Sequence, residues 1–221
     1  MVNKFCSKWL MGCFICAFSV ISFSAENTDN ASISLPNPQM DKGKPLMQVL
    51  KERKSSRDFS SQKIGDQDLS NLLWAGFGIN RPETGGRTAP SAMNTQEIDL
   101  YVTLEKGCYR YDAKSNKLIH VVNKDIRALA GKQPFVKDSP LNVIFVADYS
   151  RLKKNNQTND AKTYSIANAA FIGENIYLYC ASEGLAVVFR ANIDKPILAK
   201  AMQLRSDQEV LFAQTVGYPK K

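Results

Sequence analysis

The segment between Lys51 and Phe59 contains residue types that bind phosphate. Two guanidinium groups, one ammonium group and two hydroxyl groups fall within the five residues from Arg53 to Arg57. Arginine offers a phosphate two parallel N–H donors, lysine offers a compact positive charge, and serine adds a neutral donor. The same residues would also suit the last turn of a helix, where basic side chains interact favourably with the helix dipole. The cluster alone therefore leaves a phosphate site and a basic helix end as open alternatives.

A polar loop with the sequence Pro90-Ser91-Ala92-Met93-Asn94-Thr95-Gln96 directly precedes a predicted strand. Its proline stiffens the chain, and the side-chain amides of Asn94 and Gln96 each present donors and an acceptor. Such a pair matches the edge of a flavin ring. Because polar residues before strands are common, this loop is weak evidence when it is taken alone.

Two later segments could bring small or basic residues to the same ligand. After Gly184 the chain forms a predicted strand and then a polar turn, where the small side chains of Ala191 and Asn192 would let backbone amides approach a ligand closely. An ordinary helix–strand connection would have the same composition. The chain ends in Val216–Lys221, where lysines follow a stiff Gly-Tyr-Pro turn and either close over a phosphate or form a solvated tail.

Residues 1–25 have the order of a secretory signal peptide: basic, apolar, small. Two lysines precede the apolar run 9–23, and small residues follow it. The run is about 15 residues long, shorter than the roughly 20 that span a bilayer. Cleavage after Ser24 or Ala25 would give an exported protein, periplasmic or secreted, with no stable membrane span; a retained anchor is the alternative. The segment Leu10-Met11-Gly12-Cys13 resembles a lipoprotein cleavage box, but too little apolar sequence precedes it.

The cysteines and the single histidine exclude several kinds of active site. Cleavage of the signal peptide would remove three of the five cysteines and leave Cys108 and Cys180, whose pairing is an open question. These two form no Cys-x-x-Cys or Cys/His metal spacing. His120 lies in an alternating, strand-like run, where a structural or exposed histidine is the usual interpretation. We therefore expect no metal site and no catalytic triad or other catalytic side chain.

The composition is that of one globular domain with a basic surface. A chain of 221 residues, 44% hydrophobic and 23% charged, can bury its own core without a metal or a disulfide. The formal net charge of +8 is spread along the chain without an array of basic and aromatic residues, which argues against nucleic acid as a partner. Residues 26–42 are polar and contain prolines, so we predict a flexible leader before a folded domain at 43–221.

Hydrophobic periodicity predicts the elements that must position these residues. The predicted helices are Pro45–Lys54, Asp66–Phe77, Asp125–Ala130, Tyr164–Glu183 and Asp194–Met202. The predicted strands are Glu97–Glu105, Cys108–Tyr111, Lys117–Val122, Leu141–Tyr149, Leu185–Phe189 and Gln208–Val216. The continuous apolar run within 141–149 is typical of a central strand covered on both faces. Helix 164–183 is apolar nearly all round, which predicts burial at the centre. Residues 79–93 form a long predicted loop.

The order of these segments along the chain resembles that of the nitroreductase family of FMN-dependent oxidoreductases. The resemblance covers roughly 46–221 and rests on the basic and hydroxyl cluster, the Pro-Ser-x-x-Asn-x-Gln loop, the Gly-Leu entry into a strand and the Val-Gly-Tyr-Pro-Lys end. The stretch 109–140 is similar to the branch that contains azoline-oxidising dehydrogenases. The segment 173–178 is similar to the family's central dimer helix. The family implies an α+β fold in three layers, with a mostly antiparallel sheet flanked by helices, and an intertwined homodimer.

The resemblance implies an FMN site that two subunits share. The residues that would bind the phosphate, ribityl chain and pyrimidine edge are Arg53, Lys54, Ser55 and Arg57. The residues of the loop that would reach the ring from the partner subunit are Pro90, Ser91, Ala92, Met93 and Asn94, with the last nearest to the flavin. The residues that would lie along the isoalloxazine are Phe189, Arg190 and Ala191. Finally, Lys220 would approach the phosphate.

Three positions depart from the family pattern. Many members have glycine where Ala186 and Asn192 lie, and an apolar residue at the place of Arg190. A charge at Arg190 could alter the flavin potential or the substrate preference. It also leaves the local register open by one residue.

The implied chemistry is hydride transfer through flavin N5, from NADH or NADPH to a nitro, quinone or similar electrophilic substrate. Reduced nicotinamides are scarce outside the cytoplasm, so an exported member would need another donor. The alternatives are an FMN-dependent dehydrogenase of azoline-type groups, a flavin-binding protein without turnover, and a basic binding module without flavin. Azoline oxidases have an adjacent Lys-Tyr pair, whereas Thr163 here separates Lys162 from Tyr164, which disfavours the first alternative.

Overall fold

A seven-stranded antiparallel sheet forms the centre of the computed structural model, which describes residues 1–2, 32–153 and 160–220. The strands are β1 (Ile33–Ser34), β2 (Ile79–Arg81), β3 (Gly86–Arg87), β4 (Ile98–Leu104), β5 (Gly107–Asp112), β6 (Lys117–Val122), β7 (Leu141–Asp148), β8 (Ala186–Arg190) and β9 (Gln208–Gly217). The helices are α1 (Leu46–Glu52), α2 (Asp66–Phe77), α3 (Phe135–Asp138), α4 (Ser150–Lys153), α5 (Ala161–Glu183) and α6 (Lys195–Ala201). The order across the sheet is β1-β6-β5-β4-β7-β9-β8, and each neighbouring pair is antiparallel. β2 and β3 form a separate hairpin.

Helices cover both faces of this sheet, so the chain forms three layers. α2 and α5 pack on one face, over a cluster that includes Leu72, Phe145 and Ile172. α3, α6 and a 3₁₀ turn at 127–130 pack on the other face, over a cluster that includes Ile144 and Leu198. All eight residues of β7 are buried, because its successive side chains alternate between two covered faces. The predicted α+β fold, with an antiparallel sheet flanked by helices, is confirmed.

The helix α5 is the longest, as predicted, but only one side of it is buried. Ile172 and Ile176 lie in the core, whereas Ile166 and Phe171 are 40% and 49% exposed. The apolar pattern all round the helix therefore reflects two apolar sides rather than burial on every side. The second side is available for a contact that a single chain does not make.

Short elements occur where the sequence predicted loops. The predicted loop 79–93 contains the β2–β3 hairpin, and α3 and α4 have only four residues each, too few for a periodic apolar pattern. Part of the predicted leader is attached to the domain, since β1 pairs with β6 and the Gln39 N–H donates to Asn71 Oδ1 at 2.9 Å. Residues 3–31, which include most of the predicted signal peptide, lie outside the described residues. In the ranges that the structure describes, no helix combines the length and the apolar character needed to cross a bilayer.

The two cysteines that would remain after cleavage of the signal peptide are free thiols on opposite faces of the sheet. Cys108 belongs to the cluster beneath α6, and Cys180 belongs to the cluster beneath α2 and α5. Burial raises the pKa of the Cys108 thiol to about 12, so this thiol stays protonated at neutral pH. The open question of their pairing is therefore answered: they do not form a disulfide with each other.

Candidate functional site

The basic cluster lies along the free edge of the sheet. α1 ends where the Arg53 N–H donates to the Val49 carbonyl at 2.8 Å. The chain then runs beside β8, the outermost strand, and the Ser56 N–H donates to the Val187 carbonyl at 2.8 Å. Edge strands have unpaired N–H and carbonyl groups on their outer side, and this bond uses one of them. Residues 54–57 therefore lie beyond the helix and are fixed to the sheet, so the cluster is not simply a basic helix end.

The C-terminus lies beside the same segment. The Lys220 N–H donates to the Asp58 carbonyl at 3.1 Å. A cavity of about 710 Å³ opens here, and the charged residues that line it are Lys44, Lys51, Lys54, Lys220, Glu52 and Asp58. The Lys44 ammonium donates to Glu52 at 2.7 Å, and this hydrogen bond lowers the pKa of the Glu52 carboxyl. Four ammonium groups thus meet two carboxylates, which leaves excess positive charge suited to an anion.

The side chain of Tyr177, on α5, joins the cluster to the end of β8. Its hydroxyl oxygen accepts the Phe189 N–H at 2.9 Å and lies 2.7 Å from Ser55 Oγ. The Arg53 guanidinium lies over its ring, 5.3 Å from the centroid. Tyr177 was not among the predicted site residues. The available signal was a tyrosine within an apolar helix, because a buried tyrosine hydroxyl requires a hydrogen-bond partner.

The side chain of Phe189 belongs to the core rather than to the surface. Its ring packs between those of Phe145 and Phe212, with centroids 5.1 and 4.8 Å away. It also lies against α5, where a Cβ at Gly173 would be only 2.7 Å from the ring. Ala191 follows β8 and is exposed. The part of this predicted segment that a ligand can reach is therefore the turn that begins at Ala191.

Arg190 points to the opposite face of the sheet and is 5% exposed. Its guanidinium donates to the Ala130 carbonyl at 2.9 Å, to Asn142 Oδ1 at 3.0 Å and to Thr215 Oγ1 at 2.8 Å. Burial lowers the pKa of Arg190 to about 10. A Cβ at Gly131 would overlap its Nη1 atom, so only glycine leaves room for this side chain. The guanidinium is an interior group and is not among the surface cations of the cluster.

The loop Pro90–Asn94 is attached to the first half of α5. The Ala92 N–H donates to Asn168 Oδ1 at 3.2 Å, and Asn168 Nδ2 donates to the buried Glu97 carboxylate at 2.8 Å. Met93 and Asn94 adopt left-handed backbone angles, with φ of 50° and 53°. A residue such as methionine pays roughly 1–2 kcal/mol for this conformation, whereas asparagine tolerates it, so the contacts with α5 help to hold the backbone strained at Met93.

One chain does not bring this loop and the basic cluster together. The loop contacts α5 at Asn168, whereas the cluster contacts it at Tyr177. The two positions are nine residues apart, which corresponds to about 14 Å along a helix that rises 1.5 Å per residue. The structure therefore unites the segments around Arg53, Phe189 and Lys220, and it keeps Pro90–Asn94 at a distance.

The family of the chain follows from comparison with known proteins. A model described as the nitroreductase family matches residues 50–218. The chain belongs to the nitroreductase family. A protein of Methanocaldococcus jannaschii, named as a candidate nitroreductase, is 29% identical over 170 residues, which cover 72% of this chain and 83% of the relative. Membership of the nitroreductase family supports a flavin-dependent oxidoreductase in general.

Two solved structures illustrate how widely the nitroreductase fold is shared. A candidate nitroreductase from Ralstonia eutropha is 42% identical, with a TM-score of 0.82 over 86% of this chain and 90% of the other. The NADPH:FMN oxidoreductase from Vibrio harveyi, complexed with NAD+, is 18% identical, with a TM-score of 0.60 over 80% of this chain and 69% of the other. At that identity the second likeness concerns the fold alone.

The donors at the sheet edge fit the phosphate end of the mononucleotide that nitroreductases are expected to bind. Lys54, Ser55, Arg57 and Lys220 are exposed, and Arg53 is half-buried. Cationic and hydroxyl donors on a backbone fixed to β8 are the chemistry that a phosphate monoester requires. Within the described ranges, no group of three or more His, Cys, Asp or Glu residues is placed to hold a metal ion.

An ion-pair network holds the strand ends beneath the Pro90–Asn94 loop. Arg151 donates to the Gln96 carbonyl at 2.7 Å and to both Asp99 carboxylate oxygens at 2.8 Å. Arg205 donates to the buried Asp148 at 2.9 Å, and Arg151 lies 3.6 Å from the same carboxylate. The network therefore links the C-terminal end of β7 to the backbone at Gln96, two residues after the loop.

We expect Asp148→Asn to lower the free energy of unfolding by about 2 kcal/mol at pH 7, because hydrogen bonds to a charged group are lost. Burial raises the pKa of Asp148, but hydrogen bonds from Ser150 and Arg205 outweigh it and bring the pKa below 3.8. A carboxylate with a lowered folded-state pKa stabilises the fold above its unfolded-state pKa, and this stabilisation is lost as the pH falls through the folded-state value. The difference from wild type should therefore shrink below pH 4, roughly.

Urea unfolding of both proteins at pH 7 and pH 3 measures this difference. Asp207→Asn is the matched control, since Asp207 accepts from Arg205 at 3.0 Å but is only half-buried. Its effect should stay below about 1 kcal/mol, as for an exposed ion pair. An Asp148→Asn effect of the same size at both pH values would contradict the assignment.

Proposed function

We propose that this chain is an FMN-dependent oxidoreductase that transfers hydride from a reduced nicotinamide, or another donor, to a nitro, quinone or similar electrophilic substrate. The observation that supports it most is a convergence at one edge of the sheet. The basic cluster after α1, the C-terminal Lys220 and the end of β8 meet there in a member of the nitroreductase family. These are three of the four segments that the sequence predicts for an FMN site.

The cationic segment would hold the phosphate end of FMN. Its donors are Arg53, Lys54, Ser55, Arg57 and Lys220. The arginines offer planar forks and the lysines compact charges, so the phosphate would be both oriented and neutralised. The hydrogen bond from Ser56 to β8 keeps the backbone of this segment in place before the ligand arrives. A rigid site of this kind loses little entropy on binding.

The turn after β8 would support the flavin ring. When bound, the flavin supplies the hydride chemistry at its N5 atom, and the protein contributes position and electrostatics. Ala191 and Asn192 are exposed, and their short side chains allow the backbone to approach a flat ring closely. Phe189 anchors this turn in the core from one face of the sheet, and Arg190 anchors it from the other.

A homodimer would complete the site. α1 exposes Leu46, Met47 and Leu50, and α5 exposes Ile166 and Phe171. Large exposed apolar side chains that follow helix faces are typical of protein interfaces. A second copy bound at these faces would cover them and could deliver its Pro90–Asn94 loop to the cluster that this chain's own loop does not reach.

Export would decide the physiological electron donor. Cleavage of the predicted signal peptide would release the protein in the periplasm or outside the cell. There we expect a donor other than NADH or NADPH, while the purified protein can still be tested with both. Lipidation at Cys13 is disfavoured, because too little apolar sequence precedes this cysteine.

The visible spectrum of the purified protein tests the cofactor, and its bleaching tests the donor. We expect the absorption bands of bound flavin, release of FMN on denaturation, and anaerobic bleaching by NADH, NADPH or a chemical reductant. Reoxidation by a nitroaromatic compound or a quinone would then complete the cycle. A purified protein that is colourless, and that stays colourless after incubation with FMN, would contradict the proposal. Bound FMN without turnover under any donor would favour a flavin-binding protein instead.

The azoline alternative has little support in the contacts of Lys162. This residue would be half of the separated Lys–Tyr pair, but its ammonium donates to Glu209 at 2.7 Å. Glu209 also accepts from the Tyr149 hydroxyl at 2.7 Å. Lys162 is thus part of an ion pair at the start of α5. It lies 15 residues before Tyr177, which contacts the basic cluster, and this corresponds to roughly 22 Å of helix.

A further inference from the structure

The hydroxyl group of Tyr177 links two segments of the proposed cofactor site that are far apart in sequence. Its oxygen accepts the Phe189 N–H at 2.9 Å and lies 2.7 Å from Ser55 Oγ. Tyr177 is 9% exposed, so water competes little for either bond. One buried hydroxyl therefore connects the strand that leads to the Ala191 turn with the segment proposed to hold phosphate.

The donor inventory fixes the direction of the first of these hydrogen bonds and favours one direction for the second. A backbone N–H can only donate, so the Tyr177 oxygen is the acceptor toward Phe189. A tyrosine hydroxyl has one hydrogen of its own. Among the described residues, Ser55 Oγ is the acceptor within reach of it. If Tyr177 donates to Ser55, the serine oxygen is engaged as an acceptor, and the serine hydrogen is available to another acceptor.

The free direction of the Ser55 hydroxyl lies on the solvent side. Ser55 is exposed, as are Lys54 and Arg57, whereas Tyr177 behind it is buried. An anion held by these cations would accept the serine hydrogen. The ring of Tyr177 has a separate contact, with the Arg53 guanidinium 5.3 Å from its centroid. The hydroxyl and the ring of Tyr177 thus contact two different side chains that are proposed to bind the phosphate, Ser55 and Arg53.

We infer that Tyr177 is a positioning residue for the phosphate end of FMN: its hydroxyl commits Ser55 to donate its hydrogen to the phosphate. This inference rests on the proposed function. It has a consequence that a purely structural role lacks. Loss of the hydroxyl should lower the affinity for FMN much more than the affinity for riboflavin. Riboflavin has the same ring and ribityl chain as FMN but no phosphate.

Titration of the flavin-free protein with FMN and with riboflavin tests this inference. Tyr177→Phe keeps the ring under Arg53 and removes only the hydroxyl. We expect it to weaken FMN binding about tenfold, which corresponds to the loss of one hydrogen bond to a charged group. Riboflavin binding should weaken less than about twofold, because riboflavin has no phosphate. Ser55→Ala should produce the same selective loss. The double variant should be little weaker than either single variant, because both remove the same hydrogen bond to phosphate.

A matched control separates this effect from loss of any tyrosine hydroxyl on α5. The Tyr179 hydroxyl is also buried, but it lines a different cavity, between α2, α5 and the segment 38–46. Tyr179→Phe should leave the ratio of the FMN and riboflavin affinities unchanged.

The outcomes distinguish the inference from the function on which it rests. Equal weakening of both flavins by Tyr177→Phe, or multiplied losses in the double variant, would overturn the positioning role and leave the FMN site intact. Wild-type protein that binds neither flavin would overturn the proposed function itself. If Tyr177→Phe does not fold, as judged by circular dichroism, Ser55→Ala decides: an unchanged FMN-to-riboflavin ratio rejects the role, and a selective loss with rescue by Ser55→Thr supports it.

Discussion

Replacing Arg53 by glutamine is expected to weaken FMN binding about 100-fold. The guanidinium is half-buried at the end of α1 and lies over the Tyr177 ring, so it is already positioned for a bidentate contact with phosphate. A hydrogen bond to a charged group contributes about 1.5–3 kcal/mol, and a loss near the upper end of that range corresponds to roughly 100-fold in affinity. Titration of the flavin-free protein with FMN, followed by flavin fluorescence, measures the change.

A second charge substitution controls for the basic surface as a whole. Lys124→Gln removes the same unit of charge at an exposed position between β6 and the 3₁₀ turn 127–130. An exposed charge at a distance is largely screened by salt, so FMN affinity should change less than about twofold. Equal losses in the two variants would mean that the net charge of +8, rather than Arg53, attracts the cofactor. Unchanged affinity in Arg53→Gln would remove Arg53 from the site.

Local signals in the sequence were sufficient for the elements that frame the site. The helix Asp66–Phe77 has the same ends in the structure as in the sequence-based prediction, because its apolar spacing is regular and Gly78 follows its last residue. The run of apolar residues in β7 indicated a strand covered on both faces, and all its residues are buried. In both cases the deciding interactions lie within a few residues of each other, which is the information that periodicity contains.

Contacts between distant segments could not be predicted in the same way. The Ser55–Tyr177 bond joins residues 122 positions apart, and nothing near either residue indicates the other. Arg190 illustrates the same limit, since the guanidinium obtains its acceptors from three segments that only the folded sheet brings together. Its sequence neighbours are both apolar, so the pattern does not show which face it occupies. The family resemblance predicted which segment contributes to the site. Only the folded sheet shows on which face the Arg190 side chain lies.

Mixed dimers are expected to bind FMN where neither parent homodimer does. One parent has Arg53→Gln and Arg57→Gln, which remove both guanidinium groups of the basic cluster. The other has Met93→Asp and Asn94→Asp, which place negative charge on the loop. The backbone is left-handed at both positions, and aspartate tolerates that conformation. If each site combines the cluster of one subunit with the loop of the other, a symmetric dimer has two such sites. The mixed dimer then keeps one site with both halves intact, and we expect about one FMN per mixed dimer at concentrations where each parent binds almost none.

Two affinity tags, one on each parent, allow the mixed dimer to be isolated before its flavin content is measured. The geometry of α5 makes the result decisive, because the loop contact at Asn168 and the cluster contact at Tyr177 are about 14 Å apart along the same helix. A mixed dimer that binds no FMN would mean that cluster and loop serve the same site from one chain. A loop-substituted parent homodimer that binds FMN normally would mean that the loop is not part of the site. A second mixed dimer has both sets of substitutions on one subunit and a wild-type partner. It distinguishes a site shared between subunits from a site within one chain. A shared site then leaves two half-damaged sites and little FMN, whereas a site within one chain leaves the wild-type subunit fully occupied.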